Sequence, residues 1–469
     1  VVRLEPVPKP GAPAGAPLVS RSGRSGYFVF PAVAPGLYLV TAERDGYFRG
    51  MYGQRLPAGS GTPVAIAEDS NVFADIRMRH KGAITGRVMD ENGVGRPGTT
   101  VVAYRAQLPL RAAGSAVSDD RGVYRIHGLA PGKYWVRSAA QSLEDGSGWL
   151  PTYGPMGRET RDARIHRVSV DADTTDADVS PEPGSLFRLG GAVACDRDGP
   201  VTVVLSSETG RREVQTFCKG QYQFDGLAPA YYEVFARMQD GSASGFTELF
   251  VGGDNGAANI QVLQLPPVEF EIRRAGTNSA VDIPLVVFAR RQDLAVTDAA
   301  KEIRSARVAL DPGHWEFRAQ VPEGQYVELI STYFGGPRRG QRGDARSREW
   351  FDVFIESRAP ARIRIAVAEK AGEIDGAVRG DGQAVAGVPV FLWPVDEAAR
   401  RSIGGPRQVM SDTEGKFRFA SLPAGEYRIV ASFDLSEIDE DMVEMSRARS
   451  VRVEASQRSA VELDLWRAP

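Results

Sequence analysis

Four stretches of this chain repeat one pattern: "SGYFVFPAVAPGLYLVTA" (25–42), "RGVYRIHGLAPGKYWVRSAA" (121–140), "KGQYQFDGLAPAYYEVFA" (219–236) and "EGKFRFASLPAGEYRIVA" (414–431). In the second copy Tyr124 and Ile126 alternate with polar residues, and Tyr134 and Val136 do so again. Period-2 alternation describes two half-buried strands. Between them Pro131 sets φ for the first central position of a turn, and Gly132 suits the positive φ that a type II turn needs next.

The run from Leu129 through Pro131 and Gly132 to Tyr134 has the form of a tyrosine corner, in which a ring hydroxyl ties back to nearby backbone. Tyr38, Tyr134, Tyr232 and Tyr427 hold that place in the four copies, and Trp315 holds it in a worn copy, "VALDPGHWEF" (308–317). The corners at Gly36, Gly132, Ala230, Gly313 and Gly425 are spaced by 96, 98, 83 and 112 residues. That period is too long for a solenoid repeat and fits a small sandwich domain.

The flanks repeat as well. "GAITGRVMDENGVGRPGTTVVAYR" (82–105) and "GEIDGAVRGDGQAVAGVPVFLW" (372–393) each read as strand, Gly/Asp turn, strand, and each corner is followed by two further alternating runs. The expected fold is all-β: five tandem Greek-key sandwiches of about seven short strands each, in an elongated array. The expected units are 1–80, 81–182, 183–266, 267–369 and 370–469, divided at "RHKG", "SPEPGS", "LPPV" and "AEKAG". The first unit reaches its leading Gly at residue 26, so its opening strand and Gly/Asp turn are missing. A trimmed N-terminal segment accounts for that more simply than a strand donated by a partner. Segments 394–402 and 436–447 come nearest to helical periodicity and read as loops.

Composition agrees with many turns and strands: 51 Gly and 30 Pro stand in 469 residues. A net charge of −3 gives no support to a nucleic-acid or anionic-membrane partner, and no apolar run is long enough to span a bilayer as a helix.

"GAITGRVMDENGVGRPG" followed by "SDDRGVYRIHGLAPGKYWV" resembles the carboxypeptidase regulatory-like domain, a transthyretin-like (prealbumin-like) sandwich, and is similar also to B-type repeats of Gram-positive surface proteins and to starch-binding-like folds. The likeness is strongest in the second and fifth units and weakest in the fourth. It implies a bacterial secreted or envelope protein, extracellular, at the cell surface or periplasmic, whose modules accompany catalysis elsewhere and do not cleave peptides. Some B-type repeats carry a Lys–Asn crosslink. Lys81 and Lys370 precede first strands here, but neither unit ends in an Asn-bearing strand, so that crosslink is not expected.

Chemistry-bearing patterns are few. His80, His127, His166 and His314 form no zinc-binding motif, and no nucleophile elbow or phosphate-binding loop is present. No catalytic residue, metal site or cofactor is expected. "DADTTDAD" (171–178) clusters oxygens but lacks the spacing of a defined calcium loop and reads as a solvated hairpin. "RGD" (342–344) is too short a match to carry meaning. Cys195 and Cys218, both in the third unit, fit one structural disulfide in an oxidising compartment, with two buried thiols as the alternative.

The long insertions at 49–61, 144–162, 332–350 and 434–447 follow the post-corner strand and put Tyr52, Trp149, Tyr153, Tyr333 and Trp350 in or beside loops. Such rings stack on sugars or anchor partner proteins; they also simply pin loops. Two function classes follow: a non-catalytic scaffold, spacer or complex subunit whose partners are other envelope or extracellular proteins, and a carbohydrate-binding array. An accessory part of a larger enzyme is a third.

Overall fold

The computed structural model describes residues 1–7, 15–56, 59–107, 110–143, 147–207, 210–253, 258–265, 267–284, 286–292, 299–332, 349–356, 361–435 and 437–468. Among these the chain is built of strands, apart from two short α-helices and one 3-10 turn. The main apolar clusters draw on residues within 2–78, 84–179, 187–262, 268–367 and 374–465.

One wiring recurs. In the second unit Gly82–Arg87 runs antiparallel to Val123–Leu129 on one side and parallel to Asp173–Thr174 on the other. The facing sheet orders His166–Val168, Gly132–Ser138, Thr100–Arg105 and Ala112–Val117. In the fifth unit Gly372–Gly380 sits likewise between Lys416–Leu422 and Arg458–Asp464. The third keeps the same neighbours but joins both halves into one seven-stranded sheet, through Ala243–Val251 against Ile260–Gln264. The fourth adds a strand, Tyr326–Thr332, beside Arg362–Ala368.

The central strand of the second, third and fifth sandwiches carries a glycine (Gly86, Gly191, Gly376) because a neighbouring backbone comes too close for a side chain. A Cβ at Gly86 would lie 2.2 Å from the Ala177 carbonyl oxygen, and one at Gly191 2.2 Å from that of Ala258. Those same carbonyls accept the buried hydroxyls of Tyr124 and Tyr222, which closes the sandwich end. In the fourth unit the equivalent strand, Pro267–Arg274, has no such glycine.

The expected positive φ is present at Gly132 (φ 149°) and Gly313 (φ 127°) but not at Gly36, Ala230 or Gly425; in the second, third and fifth units a left-handed residue also sits four positions before the corner residue, at Gly128 (φ 79°), Gly226 (φ 69°) and Ser421 (φ 57°). Ala230 is therefore compatible with its place, since no Cβ penalty arises there. At Gly132 the backbone (φ 149°) favours glycine and contact adds to it: a Cβ would meet the Arg105 guanidinium at 2.3 Å.

Two further expectations are corrected. The segments expected as loops contain helices, Glu397–Ile403 and Glu440–Met445. Each is too short for periodicity to reveal and is set by its ends. Gly404 closes the first in the left-handed region, and the Asp439 carboxylate caps the second by accepting from the Met442 N–H. Nor does the row of units stay extended. Ser60 of the first unit donates its N–H to the Phe433 carbonyl (2.6 Å) and its hydroxyl to that of Leu435 (2.9 Å). Arg55 pairs with the buried Asp434 carboxylate at 3.1 Å. First and fifth units thus touch, against the elongated array.

The first unit has one described sheet, ordering Leu18–Ser20, Val2–Pro6, Gly36–Ala42 and Gly50–Met51, with Val64–Ile66 also on Gly36–Ala42. Val2–Pro6 pairs with Gly36–Ala42 as Thr100–Arg105 pairs with Gly132–Ser138, so it is the second strand of the pattern.

Candidate functional site

The corners use their rings alike. The hydroxyls of Tyr38, Tyr134, Tyr232 and Tyr427 donate to the carbonyls of Ala34, Ala130, Ala228 and Pro423 at 2.8–2.9 Å, and the Trp315 indole N–H donates to Asp311 at 2.8 Å. In every case the acceptor lies four residues back. Burial pushes the Tyr232 hydroxyl up to about 12 and raises those of Tyr134 and Tyr427, so these three stay protonated donors at neutral pH. Arg105 adds to the second corner, donating to the Pro131 carbonyl (3.0 Å) and lying over the Tyr134 ring. Tyr134→Phe is expected to destabilise the second unit by about 1 kcal/mol, the net worth of one hydrogen bond, read from its urea midpoint. An unchanged midpoint would mean the hydroxyl is idle.

Cys195 ends the strand Phe187–Cys195, and Cys218 follows Gly210–Phe217; the two are joined as a disulfide, with Cα atoms 5.7 Å apart. It ties the central strand of the third unit to the edge hairpin of its facing half.

The loop aromatics do not form an open sugar platform. Tyr153 is 2% exposed and Trp350 7%, each with arginine against its ring: Arg137 over Tyr153, and Arg290 and Arg318 over Trp350. Trp149 is half-buried with the Arg96 guanidinium 3.9 Å from its ring, and Tyr52 packs on the first unit's core. Tyr333 and the "RGD" segment lie outside the described residues. The loop-pinning alternative has a physical cause here: Trp149, Tyr153 and Trp350 each supply a face to an arginine, and Tyr52 packs on apolar residues. Among the described residues the most exposed aromatics lie elsewhere, at Phe73 (89%), Tyr27 (79%), Phe217 (66%) and the cross-strand pair Tyr231 (61%) and Phe250 (52%).

The acidic stretch 171–178 uses its oxygens one by one. Asp171 accepts from Arg79 and from the His80 N–H, Asp173 from Arg125 in two bonds, and Asp178 from the Arg87 N–H. The arginine hydrogen bonds hold Asp171 and Asp173 below the usual carboxylate range. Among the described residues, one group brings metal-ligand types together: Glu233, Glu248 and His314, with ligand atoms within 4.8 Å of one another. Glu233 and Glu248 face each other across two strands, and His314 comes from the fourth unit. Arg211, Arg237, Arg291 and Lys301 line the adjoining cavity of about 170 Å³. With four cations at hand, the acidic charge there has protein counterions. Spacing in the sequence does not show this junction, because its members come from two units.

His166 is 4% exposed, and burial, followed by Arg164, lowers its pKa. As pH falls through the ordinary histidine range, the unfolded chain takes up the proton before the folded one does. Stability of the second unit therefore drops there and levels off once the folded imidazole also protonates. His166→Gln should flatten this dependence in urea titrations between about pH 7.5 and 5. Equal slopes for both proteins would contradict it.

Residues 83–148 match the family model of the carboxypeptidase regulatory-like domain. No curated protein matches the chain. Among solved structures, the TIE protein of Bacillus anthracis is similar at 10% identity over 86% of this chain and 79% of its own, with a TM-score of 0.18. The minor pilin of Streptococcus agalactiae is 13% identical over 44% of this chain and 97% of its own, with a TM-score of 0.23. The major pilin subunit of Bacillus cereus is 11% identical over 82% and 99%, with a TM-score of 0.15. The family match falls on the second unit, from its central strand Gly82–Arg87 past the corner at Tyr134 to the strand Ser147–Trp149.

Proposed function

We propose that this chain is a non-catalytic structural and interaction protein working outside the cytosol, its five units (1–80, 81–182, 183–266, 267–369 and 370–469) folding as separate domains that scaffold or space other surface proteins. The observation that carries the reading is how each described sandwich employs its polar side chains. The corner hydroxyls, the acidic stretch 171–178 and the arginines over the loop rings are engaged in holding the sandwich itself. The Cys195–Cys218 bond supports the oxidising compartment. The tagged chain, extracted natively from the producing cell, should co-purify from the envelope or secreted fraction with a second protein. Recovery as a lone monomer from the cytosol would overturn the proposal.

A carbohydrate-binding reading finds support at one place, the exposed Tyr231–Phe250 pair, whose ring centroids lie 5.2 Å apart. Glycan-array binding that is lost in Tyr231→Ala would favour it.

A further inference from the structure

We infer that the cavity between the third and fourth units is a binding site for a small hydroxylated carboxylate, either a sugar acid or a free hydroxy acid. This goes beyond the scaffold reading and is tested independently of it.

Two strand faces meet there. On the third unit, Ser206 of the strand Pro200–Ser207 stands in register with Arg211 on one neighbour and with Glu233 on the other. Side chains alternate along a strand, so Leu205, Tyr232 and Val234 turn into the sandwich core while this row faces outward. The fourth unit closes the space with Lys301, Asp311 and the corner residue Trp315. The cavity of about 170 Å³ is about six times the ~30 Å³ that one water occupies in the liquid, so its occupant is a small molecule. Ser206 (3% exposed) and Trp315 (4%) lie deep in it, whereas Lys301 and Glu213 are exposed at its rim and leave a way in.

Three residues of the lining keep polar atoms that nothing among the described residues satisfies. The buried Ser206 hydroxyl has no hydrogen-bond partner. Arg237 pairs with Asp311 through Nη1 and Oδ2 at 3.4 Å, yet Arg237 Nε and Asp311 Oδ1 are buried without partners. A buried polar atom that has given up water and gained nothing costs free energy, so such atoms are nearly always satisfied by protein, water or ligand. An N–H donor and a carboxylate acceptor within one ion pair call for a group that accepts and donates at once. A hydroxyl does both, whereas a carboxylate only accepts and an ammonium only donates.

Charge selects the other half of the ligand. The four cations Arg211, Arg237, Arg291 and Lys301 line the cavity against three carboxylates, Glu213, Glu233 and Asp311, which leaves one positive charge over. Glu248, beside Glu233, is exposed and stands outside the lining. Arg211, Arg291 and Glu233 have partners of their own within the protein, and Lys301 has no ion pair among the described residues. A ligand carboxylate at Lys301 balances the count, and the attraction is stronger in a cleft partly walled from water than on an open surface. A neutral sugar would leave Lys301 unmatched, and a carboxylate without hydroxyls would leave Ser206, Arg237 and Asp311 so.

The experiment is isothermal titration calorimetry of the 469-residue chain with D-glucuronate and with L-lactate, beside D-glucose and acetate as controls. Saturable binding of one ligand per chain is expected for at least one of the two acids, about tenfold tighter than for glucose or acetate. Tighter glucuronate would identify a sugar acid as the ligand, and equal or tighter lactate a free hydroxy acid. Ser206→Ala removes only the hydroxyl, and Lys301→Gln changes an exposed side chain, so both variants should keep the parent's urea midpoint. Each should weaken binding about tenfold. No saturable binding of either acid would overturn the proposal, since the cavity would then hold water alone. Equal affinity for glucose or acetate would overturn it too, as would unchanged affinity in both variants, which would place the binding elsewhere.

Discussion

Replacing Arg290 by Met is expected to destabilise the fourth unit by roughly 3–5 kcal/mol, the largest effect of any single change considered. Glu316 is 1% exposed on the strand Gly313–Gln320, and its carboxylate accepts from Arg290 Nε at 2.5 Å. Burial raises the Glu316 pKa and Arg290 opposes that rise, so removing the guanidinium leaves an uncompensated buried charge. Arg290 also stacks on Trp350, which loses one of its two cation partners. The sign with pH follows. A carboxyl whose folded pKa is raised favours the fold while protonated and loses that contribution as pH rises through the folded value. The penalty in Arg290→Met should therefore shrink on acidification. Arg290→Met with Glu316→Leu should regain most of the loss, because an apolar pair leaves no buried charge. Denaturant curves followed by tryptophan fluorescence measure all three, and a single variant within about 1 kcal/mol of the parent would show that the pair is solvated.

Reducing the Cys195–Cys218 bond, or replacing both residues by Ser, should cost the third unit about 3 kcal/mol in the chain-entropy account for a loop of this length, the partners being 23 residues apart. The bond ties the end of the central strand to the residue that follows the hairpin Pro200–Ser207 and Gly210–Phe217. The other units have no cysteine, and their unfolding midpoints should not move with reductant. The loss of Gly at Ala230 is not what the disulfide offsets, since that residue is not in the left-handed region. A third unit whose midpoint ignores reductant would contradict the stabilising role.

What could be read from the chain, and what could not, divides by the distance over which residues act. The corner hydroxyl of Tyr134 reaches a carbonyl four residues back, so spacing alone exposes it. Strand alternation is local in the same way, and the all-β fold follows from it. The sequence left two readings of the loop aromatics open, binding and loop-pinning, because what covers them is not local: Arg318 reaches Trp350 and Arg96 reaches Trp149 across the fold. The helix Glu440–Met445 escaped notice because six residues held by an Asp439 cap are shorter than any usable period. Contact between Ser60 and Phe433 joins loops over 370 residues apart, and no pattern in either loop announces it.

The central claim is that this is a tandem-sandwich interaction protein working in an oxidising compartment outside the cytosol. It is tested most directly by differential alkylation of Cys195 and Cys218 in protein taken from intact producing cells, quenched in acid and read by mass spectrometry before and after reduction. The account predicts that both cysteines resist the first reagent and react only after reduction. Full labelling of both thiols before reduction would contradict it.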